Sequence, residues 1–127
     1  MKLLLDTPAF LFAIGDPTQL SDAARRSLLK TSNQRFVSVV SFWEIAIKTQ
    51  IGRLDLPTDV GFYEEHLRRL SAVVLPVEAR HTFELLRLPM IHKDPFDRLL
   101  VAQARVDGLT VLSRDEFIAQ YEVRVLW

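Results

Sequence analysis

Four acidic residues stand where a folded chain could gather them: Asp6, Glu44, Asp97 and Asp115. Each either follows a predicted strand or opens a predicted helix. Grouped carboxylates repel one another, and close pairs stay ionised only with a counter-charge. A divalent cation is the usual solution. Mg²⁺ or Mn²⁺ takes hard oxygen ligands and keeps several waters, so few carboxylates need touch it. The chain has no cysteine, and its three histidines show no HxxxH spacing, so zinc does not fit. A cation held by acids clamps phosphate and activates water for attack on a phosphodiester. Thr7 and Ser113 stand beside the acids as hydroxyls able to orient them. Plainer jobs are open to the same residues. Asp6 suits a strand-end turn, Glu44 the second half of a capping box, Asp97 and Asp115 helix starts.

The elements that must position these acids follow from residue pattern. His92-Lys93-Asp94-Pro95-Phe96-Asp97-Arg98-Leu99-Leu100 reads as an Asp cap, a proline at the first helical position and an acid in the first turn. Phe96, Leu99, Leu100, Gln103 and Val106 recur at helical spacing, predicting a core-facing helix over 95–107 that Gly108 ends. Upstream, residues 2–5 are a short apolar run, predicted as a central strand. Thr7 is predicted to cap a helix that begins with Pro8 and stays apolar on every side over 9–14. Ser21 caps a second helix over about 22–31. Residues 36–40 have strand character, and Ser41-Phe42-Trp43-Glu44 then forms a capping box that opens a helix over about 42–51, ended by Gly52. Thr58 or Asp59 caps a helix reaching about 70. A strand at 73–75, a helix at 78–87, a strand at 109–112, a short helix at about 116–120 and an edge strand at 122–127 complete the chain. Strands alternate with helices, so we expect one α/β domain, residues 1–127: a three-layer α/β/α sandwich around a mainly parallel sheet of about five strands. Right-handed crossovers bring every strand's carboxyl end to one rim, where such sheets build their sites.

Composition narrows the partners. Of 127 residues, 49% are apolar, enough for a substantial single core. Sixteen basic and sixteen acidic residues balance, which excludes a strongly basic nucleic-acid coat. No apolar run approaches the ~20 residues of a membrane span, and Lys2-Leu3-Leu4-Leu5 is cut short by Asp6. A cytoplasmic protein is the expectation.

Taken together, these segments resemble the PIN domain, and specifically the VapC-type ribonuclease toxins of toxin–antitoxin pairs. The match is carried by Leu3-Leu4-Leu5-Asp6-Thr7, by Ser41 to Lys48 with Gly52-Arg53-Leu54, by His92 to Leu100 with Ala102-Gln103-Ala104, and by Ser113-Arg114-Asp115 and the closing Leu126-Trp127. The resemblance implies a Mg²⁺- or Mn²⁺-dependent endoribonuclease. Asp6, Glu44 and Asp97 match its acidic triad and Asp115 its more variable fourth acid. It also implies a homodimer and an antitoxin that occludes the site. Two strongly apolar helices, over 9–14 and over 42–51, agree with apolar surface left for partners. Many relatives carry His where this chain has Pro8, which implies an altered entrance with metal binding intact. With no net charge to attract RNA, contact falls to cations near the rim: Lys48, Arg53, Lys93, Arg98 and Arg114, with His92 as a further phosphate contact.

Other folds of this size with a rim site fit less well. A phospho-receiver domain wants paired acids after its first strand and a lysine after its last; here Asp6 has no acidic neighbour and no lysine follows Lys93. A haloacid-dehalogenase-like phosphatase wants Asp-x-Asp where this chain has Asp6-Thr7-Pro8. The alternative function is a catalytically silent PIN-like module that binds a partner.

Overall fold

Leucines 3, 4 and 5 are wholly buried, and the strand they form, β1 (Lys2–Leu5), lies at the centre of a five-stranded sheet. The computed structural model describes residues 1–127. β2 (Gln34–Ser38) and β4 (Thr110–Leu112) flank β1, while β3 (Ala72–Leu75) and β5 (Arg124–Leu126) form the edges. The order is β3-β2-β1-β4-β5 and every pairing is parallel. A parallel sheet must be covered on both faces, and alternation along the strands divides the covering. Leu4, Val111 and Phe36 face one layer; Leu5, Val37 and Leu112 face the other.

The first layer is built on α6 (Pro95–Asp107), through Leu100, Val101 and Ala104, with Leu88, Ile118 and Tyr121 beside it. α5 (Ala79–Glu84) packs against α6. Their join includes His81, fully buried. Its Nδ1 accepts from the Glu78 N–H at 2.9 Å, so its Nε2 proton is free for Asp107, 2.9 Å away at the end of α6. The second layer holds α1 (Thr7–Ile14), α2 (Asp22–Leu29), α3 (Val39–Gln50) and α4 (Val60–Leu70), meeting through Phe10, Ala24, Ile45, Tyr63 and Leu67. Burial of each large aliphatic side chain or phenylalanine among them contributes about 1.5–3 kcal/mol. The expected three-layer sandwich is thus the observed one.

The helix starts differ from expectation in ways that matter for the site. α1 is capped by Asp6, whose carboxylate accepts from the Ala9 N–H at 2.8 Å; Thr7 is its first residue and Pro8, exposed, its second. α3 begins one turn earlier than the Ser41 capping box implies. Its cap is Ser38, which takes the Val40 N–H at 3.0 Å, and Val39 and Val40 are helical rather than strand. Glu44 therefore lies in the second turn of α3 and caps nothing. The 78–87 helix divides into α5 and a 3₁₀ turn over Leu85–Arg87, and the 116–120 helix contracts to a 3₁₀ turn, Ile118–Gln120. Ser21, Asp59 and Asp94 cap α2, α4 and α6 as read from sequence, and Gly52 and Gly108 take positive φ at the ends of α3 and α6.

Candidate active site at the carboxyl rim of the sheet

β1, β2 and β4 end side by side, and the residue that follows or closes each is polar and buried: Asp6, Ser38 and Ser113. Backbone hydrogen bonds fix this edge. The Asp6 N–H donates to Leu112 O at 3.2 Å and the Ser113 N–H to Leu126 O at 3.1 Å. The Ser38 hydroxyl donates to Gln103 Oε1 at 2.6 Å, and Gln103, fully buried, donates to Pro76 O at 3.1 Å, so the end of β2 is locked to the middle of α6. Thr7 donates its hydroxyl to Ser41 Oγ at 2.9 Å, joining α1 to α3. Thr7 thus holds two helices together rather than touching a carboxylate. Sequence pattern makes Ser41 a helix cap and Gln103 one more core-facing position of α6; the structure instead puts Ser41 inside α3 as the acceptor for Thr7 and makes Gln103 the link between β2 and Pro76, roles that spacing does not signal, although a lone glutamine on a core face is itself an oddity.

Around this edge the four acids sit in unlike surroundings. Asp6 is 2% exposed. Burial pushes its carboxyl up to about 6; the Ser113 hydroxyl and the Ala9 N–H pull the other way, and the charges of Asp115 and Glu44 push up further. Asp97, the third residue of α6, is raised to about 7, first by burial and then by Asp94; hydrogen bonding to His92 opposes this, and Asp115 and Asp6 add to it. Glu44 gives Oε2 to the ammonium of Lys48 one turn on, while its Oε1 is buried with no partner. Asp115 accepts from the N–H groups of Phe117 (2.7 Å) and Ile118 (3.3 Å), and its own N–H donates to Ser113 Oγ at 3.0 Å. The acids are therefore close enough to repel one another across the rim. No three His, Asp or Glu side chains converge as a ready-made ligand group.

The donor set is nevertheless one a hard cation suits. Every candidate atom is a carboxylate oxygen, burial and acidic neighbours disfavour the ionised form of two of the acids, and one buried oxygen lacks any partner. An orphaned buried acceptor costs about 1–3 kcal/mol, which a cation or its water shell would recover.

The cations read as RNA contacts separate by what they touch. Lys48 is paired with Glu44, and its ammonium lies 6.0 Å from the Phe96 ring centre. Arg53 and Lys93 are exposed. Arg114 is exposed and lies 4.8 Å over the ring of Phe12. His92 is tied to Tyr121 and Asp97. Arg98 donates to Pro89 O at 2.8 Å and to Tyr121 Oη at 3.2 Å, and its guanidinium lies 5.9 Å over the Tyr121 ring. Arg98 is a brace between α6 and the loops on either side. Arg98→Ala should lower stability by about 1.5–3 kcal/mol, the scale of lost hydrogen bonds to a charged group. Filter binding should show the salt dependence of RNA affinity unchanged; a flatter salt slope in the variant would place Arg98 on phosphate instead.

Two aromatic side chains stand open beside the acids: Trp43, 49% exposed, next to Glu44, and Phe117, 43% exposed, just past Asp115. On the far side of α3 lies a cavity of about 370 Å³ between α3 and α4, lined by Phe42, Ile45, Thr49, Val60 and Tyr63. Thr49 Oγ1 is buried there without a partner.

An all-parallel α/β/α sandwich with repelling carboxylates at the strand ends defines a class of rim-site domain, and comparison with known proteins says which. The sequence model of the PIN domain matches residues 3–123, so the chain belongs to the PIN domain family. No curated protein matches the sequence significantly. Among solved structures the chain is similar to VapBC2 from Rickettsia felis bound to a DNA fragment from their promoter, with a TM-score of 0.71 and 15% identity over 99% of this chain and 98% of that one. It is also similar to DNA-bound VapBC from Salmonella typhimurium (TM-score 0.65, 17% identity, 99% and 97% covered) and to FitAcB from Neisseria gonorrhoeae (TM-score 0.58, 20% identity, 98% and 96% covered). At these identities the likeness is one of fold.

Proposed function

We propose that the chain is a Mg²⁺- or Mn²⁺-dependent endoribonuclease of the VapC toxin type, held in check by an antitoxin. The observation that carries this reading is buried Asp6 at the rim of a PIN domain, repelled by both buried Glu44 and half-buried Asp97, with one Glu44 oxygen unpartnered. Asp6, Glu44, Asp97 and Asp115 would hold the cation. When bound, it supplies charge compensation and a more acidic water for phosphodiester hydrolysis. The chain's own residues prepare for this. Asp6 is fixed at a helix cap, Ser113 and the Ala9 N–H orient it, and His92 holds one oxygen of Asp97. Lys48 neutralises Glu44 and must yield part of that oxygen when a cation enters.

RNA would reach the rim past Arg53, Lys93 and Arg114, which keep their charges in solvent. Cleavage of an RNA substrate in Mg²⁺ or Mn²⁺, and its loss in chelator, tests the reading directly. The silent partner-binding alternative draws on the fact that no three acids converge in this structure; it requires equal, negligible cleavage with and without metal.

No helix is long and apolar enough to cross a membrane, which suits a cytoplasmic toxin. Its neighbours in fold are VapBC assemblies, and this chain offers an apolar cavity between α3 and α4 to an antitoxin segment. α1 leaves Leu11, Phe12, Ala13 and Ile14 half-buried, with Trp127 against Phe12 at 6.4 Å, in keeping with a homodimer. Light scattering at micromolar concentration should give twice the chain mass; the chain mass alone would remove the dimer.

A further inference from the structure

We propose that Arg98, Tyr121 and His92 form a one-way chain of hydrogen bonds that positions Asp97, an inference that rests on the reading of Asp97 as a metal ligand. The direction follows from what each group is able to donate. Arg98 has only donors. Its Nη1 lies 3.2 Å from Tyr121 Oη and is held in place by Pro89 O at 2.8 Å. The phenol therefore accepts from Arg98 and must pass on its own proton. Tyr121 is 3% exposed, and the acceptor within reach is His92 Nδ1, at 2.7 Å. A phenol proton left unpaired at that depth would cost about 1–3 kcal/mol. With Nδ1 accepting, a neutral imidazole carries its proton on Nε2, and Nε2 lies 3.3 Å from Asp97 Oδ2.

The ring plane is fixed independently. Phe117 stacks on His92 with centres 5.2 Å apart and planes 10° from parallel. Two protein contacts thus set the tautomer and the orientation of one imidazole, and that imidazole fixes one oxygen of Asp97. Partners that orient a metal-binding side chain in this way usually matter 10- to 100-fold for metal affinity or activity. His92 here reaches the carboxylate, Tyr121 and Arg98 act through it, and none of the three needs to touch metal or RNA.

The first measurement uses neither. In ¹⁵N-labelled protein at about pH 8.5, above the usual range of imidazole titration, the long-range ¹⁵N–¹H spectrum of His92 should show the Nε2–H tautomer. In Tyr121→Phe it should shift towards a mixture, with circular dichroism confirming the fold. A wild-type Nδ1–H tautomer, or a Tyr121→Phe spectrum identical to the parent, overturns the proposal. The second measurement is Mn²⁺ affinity by calorimetry. His92→Gln keeps an acceptor for Tyr121 and a donor for Asp97, and should bind within about threefold of the parent, whereas His92→Ala and Tyr121→Phe should lose about 10- to 100-fold. Equal affinities for His92→Ala and His92→Gln overturn it. If Tyr121→Phe does not fold, the Gln and Ala pair decides. A parent chain that binds no Mn²⁺ removes the metal reading of the rim, and the tautomer alone then judges the hydrogen-bond chain.

Discussion

Asp97→Asn is expected to cost RNA cleavage more than the ~100-fold that loss of an orienting partner costs, while leaving the metal-free chain at least as stable as the parent. The two halves have one cause. In the parent, burial and the charges of Asp94, Asp115 and Asp6 hold the Asp97 carboxyl at about 7, against an ordinary 3.8. Above pH 7 the folded chain must carry that ionised group, at a cost on the order of 2–4 kcal/mol. Asparagine keeps the size, still accepts from His92, and removes the charge. The opposing loss is a weakened helix-dipole interaction at the start of α6, about 0.3–1 kcal/mol. In chelator at pH 8 the variant should therefore melt at the same temperature or higher. In Mn²⁺ the order should narrow or reverse, because the parent gains RT ln(1 + [L]/Kd) from binding and the variant gains less. If Asp97 served only the helix start, stability would fall equally with and without metal and cleavage would persist. Paired melts in chelator and Mn²⁺, run beside a cleavage assay, separate these outcomes.

Layer order and the ends of α6 are legible in the sequence because they rest on strong local signals. Asp94-Pro95 opens α6 and Gly108 closes it, and Leu3-Leu4-Leu5 could only be a strand buried on two faces. The start of α3 was misread for an identifiable reason. Ser38, Ser41 and Glu44 are spaced three apart, so two serines compete as the cap, and the β-branched pair Val39-Val40 favours strand on propensity. Tertiary structure decides the matter. Ser38 sits at the buried end of β2, where its oxygen serves both Gln103 and the Val40 N–H. The earlier start moves Glu44 one turn into the helix, too far from its start to cap it; its partner is Lys48 at i+4, and its other oxygen is buried without one.

For the site, sequence order was enough to bring Asp6, Glu44, Asp97 and Asp115 to one rim, since parallel strands share a carboxyl end. Their mutual approach was not. Whether three carboxylates close on one point depends on side-chain rotamers and loop placement, which spacing does not encode. The engagement of Arg98 by Tyr121 and the Pro89 carbonyl was equally hidden, because it joins loops far apart in sequence.

The electrostatics of the rim also sets how stability should vary with pH. Asp6 and Asp97 titrate near 6 and 7 when folded and near 3.8 when unfolded. Between those limits the folded chain binds more protons than the unfolded chain, so metal-free stability must fall as pH rises from about 4 to about 7. A shift from 3.8 to about 6 is worth on the order of 3 kcal/mol. The two acids repel each other, so their losses overlap and do not simply add. Below pH 4 the opposite slope takes over. Asp16, Glu65 and Glu78, lowered by hydrogen bonds and by arginine neighbours, lose those interactions when protonated. Chemical denaturation in chelator should therefore show a maximum near pH 4–5 and a decline towards neutrality. Saturating Mn²⁺ should flatten or reverse that decline, since metal competes with protons for the same oxygens and binds better as pH rises. Asp6→Asn should remove part of the decline in chelator and most of the response to Mn²⁺. A metal-free profile that climbs from pH 5 to 7 would mean the buried acids already own a counter-charge, and a profile indifferent to Mn²⁺ would mean that the rim does not hold one.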